Sequence, residues 1–568
     1  VRRKNWIEPA PIGAGEVERL VRELRLPAVV ARVLVARGKS DPAEARRFLE
    51  PSLDQLSPPR RLLGAGVAVE RLLGALSRNE RILIFGDFDV DGVTGTSLAV
   101  RALRQLGANV DFLMPKRLVH GYGLSMKIIP EIEQRKPAVV VTVDCGIRSV
   151  DEVARLAELG IETIVTDHHA PGAELPPATA VVDPKQAGCG YPDKRLAGVG
   201  VVFQLLRGIV DELEHELDLT RDLDLVAFGT VADVVPLDGE NRALVHQGLE
   251  VMNRREKPGI MALAQASGIE GRIEAWHIGY LLGPRINAAG RLEDSADAVH
   301  LLTTEDTSRA NRLARQLDEE NRRRQEISAV TLEQALTAIA NGTAGQDPDG
   351  IVLASNGWHP GVIGIATARL VDRYHRPSAL IAMEGDVGRG SLRSIPGVDV
   401  CSILDECRDL LVQYGGHEMA AGLTIDRGRI AEFRERFAAG CSRRLTEDNR
   451  RPRLRIDGEI EAAEIDIALA TDLERLAPFG FGNPRPTFLL RGTAPVGPAR
   501  VVGRGHLKLA LKRNGGPPLD CIGFDLGDRI DAEGLTGPLD VVGHVTINEW
   551  NERRSEQLQL IDVRETAA

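Results

Sequence analysis

The chain runs to 568 residues, 43% hydrophobic and 27% charged, with a net charge of −11. That length and apolar content can bury more than one core, and size alone points to roughly three to four domains. The acidic balance excludes a broadly basic surface coating nucleic acid, so a polyanion has to be met by a local patch or through metal ions. Six cysteines, at 145, 189, 401, 407, 441 and 521, are dispersed without a Cys-x-x-Cys pair. This argues against a zinc knuckle or a disulfide framework and for a reducing compartment. No apolar run approaches the roughly 20 residues of a membrane helix, and the opening Val-Arg-Arg-Lys-Asn-Trp is not followed by a signal-peptide core. The expectation is a soluble cytoplasmic protein with no membrane partner.

In chain order, residues 1–60 carry two short helical stretches, 16–24 and 41–48, interrupted by Pro27 and closed by Pro51, Pro58 and Pro59. They read as a helical cap that packs without chemistry of its own. From 61 to 257, short Val- and Ile-rich runs alternate with helical segments such as 149–159, the pattern of βαβ units and a parallel sheet. Strands are expected at 82–86, 138–143, 161–166 and 180–182. Each ends in polar residues: Asp87-Phe88-Asp89-Val90-Asp91-Gly92, Asp144-Cys145-Gly146, Asp167-His168-His169 and Asp183-Pro184-Lys185. The segment 222–231 leads into Ala232-Asp233-Val234-Val235-Pro236. Asp233, in its apolar context, needs a cation or a hydrogen-bond partner if it is buried.

A connecting region, 258–342, holds Gly283-Pro284-Arg285-Ile286-Asn287-Ala288-Ala289-Gly290-Arg291-Leu292 and a helical stretch over 304–340. A helix of that length spans about 50 Å, enough to connect two lobes across a cleft. After a glycine-rich break, the second lobe, 343–447, carries three polar, glycine-rich stretches. They are Gly357-Trp358-His359-Pro360-Gly361, Gly388-Arg389-Gly390-Ser391-Leu392-Arg393-Ser394 and Gly415-Gly416-His417-Glu418. From 448 to 568 the composition shifts to short strands with glycine turns, at 507–511, 519–524 and 539–547, which suits a small antiparallel barrel.

In open α/β sheets ligands bind in the crevice outside the carboxyl ends of the strands, and neighbouring carboxylates there repel one another unless a cation holds them. One Asp-Gly turn taken alone is ordinary turn chemistry, but here the pattern recurs. Asp87, Asp89, Asp91, Asp144, Asp167, His168, His169 and Asp233 together offer carboxylate and imidazole with no cysteine, a donor set for Mn²⁺ or Mg²⁺ rather than structural zinc. Two such ions about 3.5 to 4 Å apart, sharing a bridging carboxylate, are the clamp for in-line hydrolysis of phosphate esters. The reaction class expected is hydrolysis of a phosphodiester or an anhydride by metal-activated water.

The series Asp-Phe-Asp-Val-Asp-Gly, Val-Asp-Cys-Gly, Thr-Asp-His-His and Val-Ala-Asp-Val-Val-Pro resembles the four motifs of the DHH phosphoesterase superfamily. With Gly-Gly-His-Glu-Met-Ala-Ala-Gly and the C-terminal barrel, the likeness over about 60–568 is to its branch of bacterial single-strand-specific 5′-to-3′ DNA exonucleases. The resemblance implies an α/β fold, with a parallel-sheet DHH domain (61–257) and a smaller α/β DHHA1 domain (343–447) joined by a long helix, plus a C-terminal OB-like β-barrel (448–568). It implies that Asp87 and Asp144 hold one divalent cation, Mn²⁺ or Mg²⁺, and that Asp89, Asp144, His168 and Asp233 hold a second, with Asp144 bridging. His169 would then face the scissile phosphate, stabilising charge or protonating the leaving oxygen, and Asp167 would orient an imidazole. Asp91 goes to the turn or to an outer position. The superfamily's small pyrophosphatases carry a histidine where this chain has Leu83, which leaves the first cation fewer protein ligands.

The same resemblance suggests a pocket for the terminal 5′ phosphate at Arg285, Asn287 and Arg291, a role that suits forked guanidinium groups; the competing reading is ion pairing. Ser391, Arg393 and His417 sit on glycine-rich stretches whose N–H groups can contact phosphates, and Trp358 and His359 either stack a base or pack a core. In the barrel, Arg500, Arg504, His506, Lys508, Lys512 and Arg513 form a basic segment that suits either backbone tracking or a solvated basic strand. The partners implied are single-stranded DNA, a single-strand-binding protein and a RecQ-type helicase, with the chain itself a monomer. Against a processive exonuclease stand two other readings. A phosphodiesterase for short oligonucleotides or cyclic dinucleotides would not need the barrel, and a non-catalytic DNA scaffold would not keep all five proposed ligands.

Overall fold

A computed structural model describes residues 4–566 apart from 214–216, 293–294, 344–348, 504, 528–534, 536 and 551–552; the side chains of 117–118, 291–292 and 550 also lie outside the description. The chain divides into two compact units. One comprises Ala43–Arg322 with Leu476–Arg485, the other Val1–Pro42, Arg323–Arg475 and Pro486–Ala568.

The first unit is built on five parallel strands in the order Val110–Leu113, Ile82–Gly86, Val139–Val143, Glu162–Thr166 and Ala180–Val182. Ile82, Ile84, Val139, Val141 and Val143 face one core with helices Ala65–Ser77, Val90–Gln105 and Gly198–Leu213, while Leu83, Phe85, Val140 and Val165 face another with Ile129–Arg135 and Val150–Glu158. Burial on both faces is why these strands are continuous apolar runs rather than alternating ones. The strand Val110–Leu113 was not expected: it lies at the edge, and half-exposed Val110 and Asp111 interrupt the apolar run. Connections change direction between Ile82–Gly86 and Val139–Val143, and that switch point opens the crevice at the carboxyl ends.

The expected long helix is Thr307–Ala340, 34 residues. Leu313, Ala314 and Leu317 pack into the core of the first unit, and Ala335, with Leu332 and Ile339, into a core of the second. There a five-stranded mixed sheet runs in the order Leu411–His417, Ala420–Asp426, Val387–Arg393, Ser378–Glu384, Ile351–Ser355, with only the last pair parallel. Trp358 is 6% exposed and its Nε1 donates to Gln334 Oε1 at 2.8 Å, so of the two roles open to it the structure gives core packing. A seven-stranded sheet follows, mostly antiparallel, with Leu539–Trp550 and Arg553–Glu565 as its longest pair. The first sixty residues do not stay together: a short strand, Asn5–Ile7, pairs with Arg453–Arg455, and Trp6 Nε1 donates to Asp562 at 2.8 Å, while the residues from Ala43 onward pack in the other unit. Among the described residues no helix is long and apolar enough to cross a membrane, and all six cysteines are free thiols.

Candidate metal centre

The parallel ladder extends one residue past each strand. Asp87 N–H donates to Val143 O, Asp144 N–H to Thr166 O and Asp167 N–H to Val182 O, all at 3.1 Å. Three acids from three separate motifs therefore stand in a row across adjacent strand ends. Asp144 turns the chain with φ +61°, a left-handed conformation that Asp and Asn tolerate better than other side chains. Asp89 caps the helix Val90–Gln105, its Oδ1 accepting from Asp91 N (3.0 Å) and Gly92 N (3.2 Å). Asp91 accepts from Gly198 N (2.6 Å) and Val199 N (2.8 Å), pinning the start of Gly198–Leu213. A Cβ on Gly198 would stand 2.8 Å from Asp144 Cβ, so glycine is what lets that helix end approach the acids. Asp233 follows the last turn of Leu223–Ala232.

These elements bring together what the sequence scattered. His168 Nε2 lies 3.1 Å from Asp144 Oδ1 and 3.5 Å from Asp233 Oδ2. Ligand atoms within 4.8 Å of one another form three groups: Asp87, Asp89 and Asp144; Asp144, His168 and His169; Asp91, His168 and Asp233. Asp144 is common to the first two. Asp89 thus falls in with Asp87 and Asp144, and Asp91 with His168 and Asp233, although both Asp91 oxygens already accept backbone N–H groups. Asp87 Oδ2, Asp144 Oδ1, His168 Nε2 and Asp233 Oδ2 are buried with no hydrogen-bond partner among the described residues. Orphaned acceptors of this kind, from oxygen and imidazole donors, fit hard divalent cations.

The electrostatics agree. Burial, then the charge on Asp89, pushes Asp87 up to about 8 and Asp91 up to about 7. Burial, followed by Asp91 and Asp89, pushes Asp233 up to about 9 and holds Asp144 well above the usual carboxylate range. Without added positive charge these acids do not all ionise at neutral pH. Burial, then His169, takes the His168 imidazole down to about 3, so its ring is neutral and has a lone pair to offer. His169 is the opposite case. Burial works against its proton, but the hydrogen bond from Nδ1 to Asp167 Oδ1 at 2.8 Å and the charges of Asp167, Asp91 and Asp89 raise it above the usual imidazole value. Asp167 is held by N–H groups of Ile147, His168 and His169 as well, and these with the His169 ring overcome burial and lower it. Burial, then Asp87, pushes the Cys145 thiol far up, so no thiolate joins the set.

The candidate phosphate residues have different surroundings. Arg285 is committed to Asp318, with Nε–Oδ1 3.0 Å and a second contact at 2.8 Å, and to Leu281 O at 2.6 Å. Asn287 is half-buried on the same helix, Gly283–Leu292, and the Arg291 side chain lies outside the described residues. That helix meets the first motif closely: a Cβ on Gly290 would stand 2.7 Å from Phe88 O. In the mixed sheet, Arg393 pairs across to Ala420 and Ala420 to His417, so Arg393 and His417 share a face with Ser391, whose Oγ accepts from Arg393 at 3.2 Å. In the seven-stranded sheet Lys508 pairs with Asp520 (3.0 Å) and Arg513 with Glu556 (2.8 Å), while Arg504 lies outside the described residues.

The model of the DHH family, N-terminal domain, matches residues 81–230, the DHHA1 domain 347–442 and the RecJ OB domain 456–562. The single-stranded-DNA-specific exonuclease RecJ of Bacillus subtilis (strain 168) is 38% identical over 552 residues, covering 96% of this chain and 69% of that protein. The chain belongs to the RecJ family. Its structure is similar to crystal structures of Thermus thermophilus RecJ in complex with Mn²⁺ (TM-score 0.86, 33% identity) and with Mg²⁺ (0.80, 31%); each alignment covers 100% of this chain, and 80% and 79% of those chains. An α/β chain with DHH, DHHA1 and OB domains is therefore the architecture, as the motifs implied.

Two neighbours of the RecJ-family centre escaped the sequence reading. Tyr122 OH lies 3.4 Å from His169 Nε2, and Gly123 N–H donates to Asp87 Oδ1 at 3.4 Å. The signal available was the aromatic between two glycines, Gly121 and Gly123, both at positive φ.

Proposed function

We propose that the chain is a single-strand-specific DNA exonuclease that works from the 5′ end and releases 5′-mononucleotides, using two divalent cations, Mn²⁺ or Mg²⁺. The observation that carries the reading is Asp144, a buried acid at the switch point that belongs to two ligand groups at once and whose Oδ1 has no hydrogen-bond partner among the described residues. In this reading Asp87, Asp89, Asp144, His168 and Asp233 hold the cations, which when bound supply Lewis-acid polarisation of the phosphate and an activated water nucleophile. The chain's own groups do the rest. His169, whose proton is favoured by the Asp167 carboxylate, faces the scissile phosphate and gives its proton to the 3′ oxygen as the P–O bond breaks, leaving a 5′ phosphate on the shortened strand. Asn287 and Arg291, on the helix that abuts Phe88, with Ser391, Arg393 and His417, contact phosphates of the strand; Arg285 braces this helix through Asp318. Catalytic work falls to about 61–257 and 343–447, joined through 258–342, and strand tracking to 448–568. Free cysteines support a cytoplasmic location. A single-strand-binding protein and a RecQ-type helicase are the protein partners proposed, with the chain a monomer.

The test is incubation with 5′- and 3′-labelled single strands and duplex in Mn²⁺, Mg²⁺ or chelator. Early release of the 5′ label as mononucleotide, from single strands only and abolished by chelator, is expected. Release of the 3′ label first, or equal attack on duplex, overturns the reading.

A further inference from the structure

The unit that holds the metal centre contains ten residues from far down the chain, Leu476–Arg485. They follow the helix Ile467–Glu474 and precede the strand Phe488–Thr493, in a stretch the sequence presents only as glycine turns between short strands. Their attachment is specific. Arg242, 2% exposed, donates from Nη1 to Leu476 O (3.0 Å) and from Nη2 to Ala477 O (2.7 Å). Asn483 ties the segment into a hairpin, its Nδ2 donating to Leu476 O (2.8 Å) and Pro478 O (2.9 Å), while Gly480 and Asn483 exchange backbone hydrogen bonds. The tip of the hairpin grips the loop that follows Asp233. Leu237 N–H donates to Phe481 O at 2.8 Å. A Cβ on Gly482, at φ +74°, would stand 2.8 Å from Pro236 Cβ, and one on Gly480 would stand 2.7 Å from Leu237 Cδ1.

The gripped loop carries its own strain. Val234 is a β-branched residue at φ +60°, 60% exposed, immediately after Asp233. Positive φ for such a side chain persists only where the surroundings over-determine it. Asp233 Oδ2, 3.5 Å from His168 Nε2, is buried with no hydrogen-bond partner among the described residues, so no hydrogen bond from them fixes that oxygen. What fixes the carboxylate is the helix Leu223–Ala232 on one side and the clasped residues Pro236 and Leu237 on the other.

We propose that Leu476–Arg485 is a positioning strap for Asp233: it holds the turn at 234–237 so that the carboxylate stays aimed at His168 and the cation site. The proposal rests on Asp233 being a metal ligand. Supporting groups of this kind carry about 10- to 100-fold in metal affinity.

The experiment is Mn²⁺ titration of the full chain, followed by calorimetry and by the spectrum of free Mn²⁺, for Gly482→Ala, Asn483→Ala, Asp233→Asn and Gly107→Ala. Gly107 has the same kind of backbone, φ +79°, in the same unit, but nothing within 4 Å of an added Cβ, so it reports backbone strain alone. Gly482→Ala is expected to weaken one class of Mn²⁺ site about 10-fold and to lower kcat with little change in KM, Asn483→Ala to do so to a smaller extent, and Gly107→Ala to lower only the melting temperature. Should Gly482→Ala not fold, Asn483→Ala reads the same quantity. Wild-type Mn²⁺ binding in both strap variants, with Asp233→Asn weakened, overturns the strap alone. Wild-type binding in Asp233→Asn overturns the ligand assignment beneath it.

Discussion

The parallel sheet carrying Asp87, Asp144 and Asp167 is buried on both faces, so its polar groups gather at the strand ends; the mixed sheet of Ile351–Ser355 to Leu411–His417 buries one face against the core of Leu392, Ala421 and Leu423, while its other face is covered by Ile363–Tyr374 only over Ile351–Ser355 and Ser378–Glu384 and leaves Arg389, Gln413 and His417 exposed. Chemistry follows from that difference. A sheet covered by helices on both faces concentrates its polar groups where strands stop, in a small region of low dielectric where charges act strongly on one another. A half-open sheet spreads its polar groups along a surface, where each meets a ligand singly and in water. The first arrangement suits bond breaking and the second suits holding a strand. Substitutions at strand ends should therefore fall on kcat, and those on the open face on KM.

The largest expected effect is that of Asp144→Asn. Asparagine also tolerates the φ of +61° found here, so the turn survives while the carboxylate shared by two ligand groups is lost. A fall in kcat of about 10²- to 10³-fold is expected, the scale for removing a group that acts on the transition state. The metal-free melting temperature should hold or rise, since a buried carboxylate has been replaced by a neutral amide. Near-normal Mn²⁺-dependent turnover would break the assignment of the strand ends to chemistry.

A second, intermediate effect follows from the raised acids. In chelator, Asp87 (about 8), Asp91 (about 7) and Asp233 (about 9) have folded pKa values above their unfolded ones, so their contribution to stability is fully present below about pH 4 and is lost as pH rises through the folded values. Asp167, lowered, acts in the other direction only in acid, and His168, near 3, stays neutral throughout. The chelated protein should thus melt several degrees lower at pH 9 than at pH 5, and Mn²⁺ should flatten that slope. A chelated protein equally stable at both would mean the acids are already compensated without cations.

The same physical difference decided how much could be read beforehand. Strand-end acids are contiguous with apolar runs, so Asp87, Asp89, Asp144, Asp167 and His168 are legible in the sequence as one cluster. The edge strand Val110–Leu113 was not, because edge position halves its apolar signal. Tyr122 was not, because nothing local ties an aromatic between glycines to His169, 47 residues away. For Arg285 the sequence leaves phosphate contact and ion pairing both open, and the choice depends on Asp318, a helical residue 33 positions on whose carboxylate it meets. Nor does composition distinguish a hairpin of the barrel from Leu476–Arg485, whose attachment runs through backbone carbonyls that any sequence would carry.

The smallest effect expected is at Arg393. Its guanidinium is half-buried, donating to Ser391 Oγ at 3.2 Å and Leu392 O at 2.7 Å, on the face it shares with His417. In the proposed role of phosphate contact it would add affinity that is the same for ground state and transition state, so its loss would raise KM without lowering kcat. Arg393→Ala is expected to raise KM for single strands about 10-fold and to reduce the slope of log KM against log salt by about 0.7 to 1, the share of one phosphate on a single strand. Arg393→Lys should keep the salt slope but recover only part of the affinity, since a point charge replaces a fork. If Arg393→Ala instead lowers kcat at saturating DNA and leaves the salt slope unchanged, then the open face takes part in bond breaking, and the division of labour between strand ends and sheet face fails where it is easiest to measure.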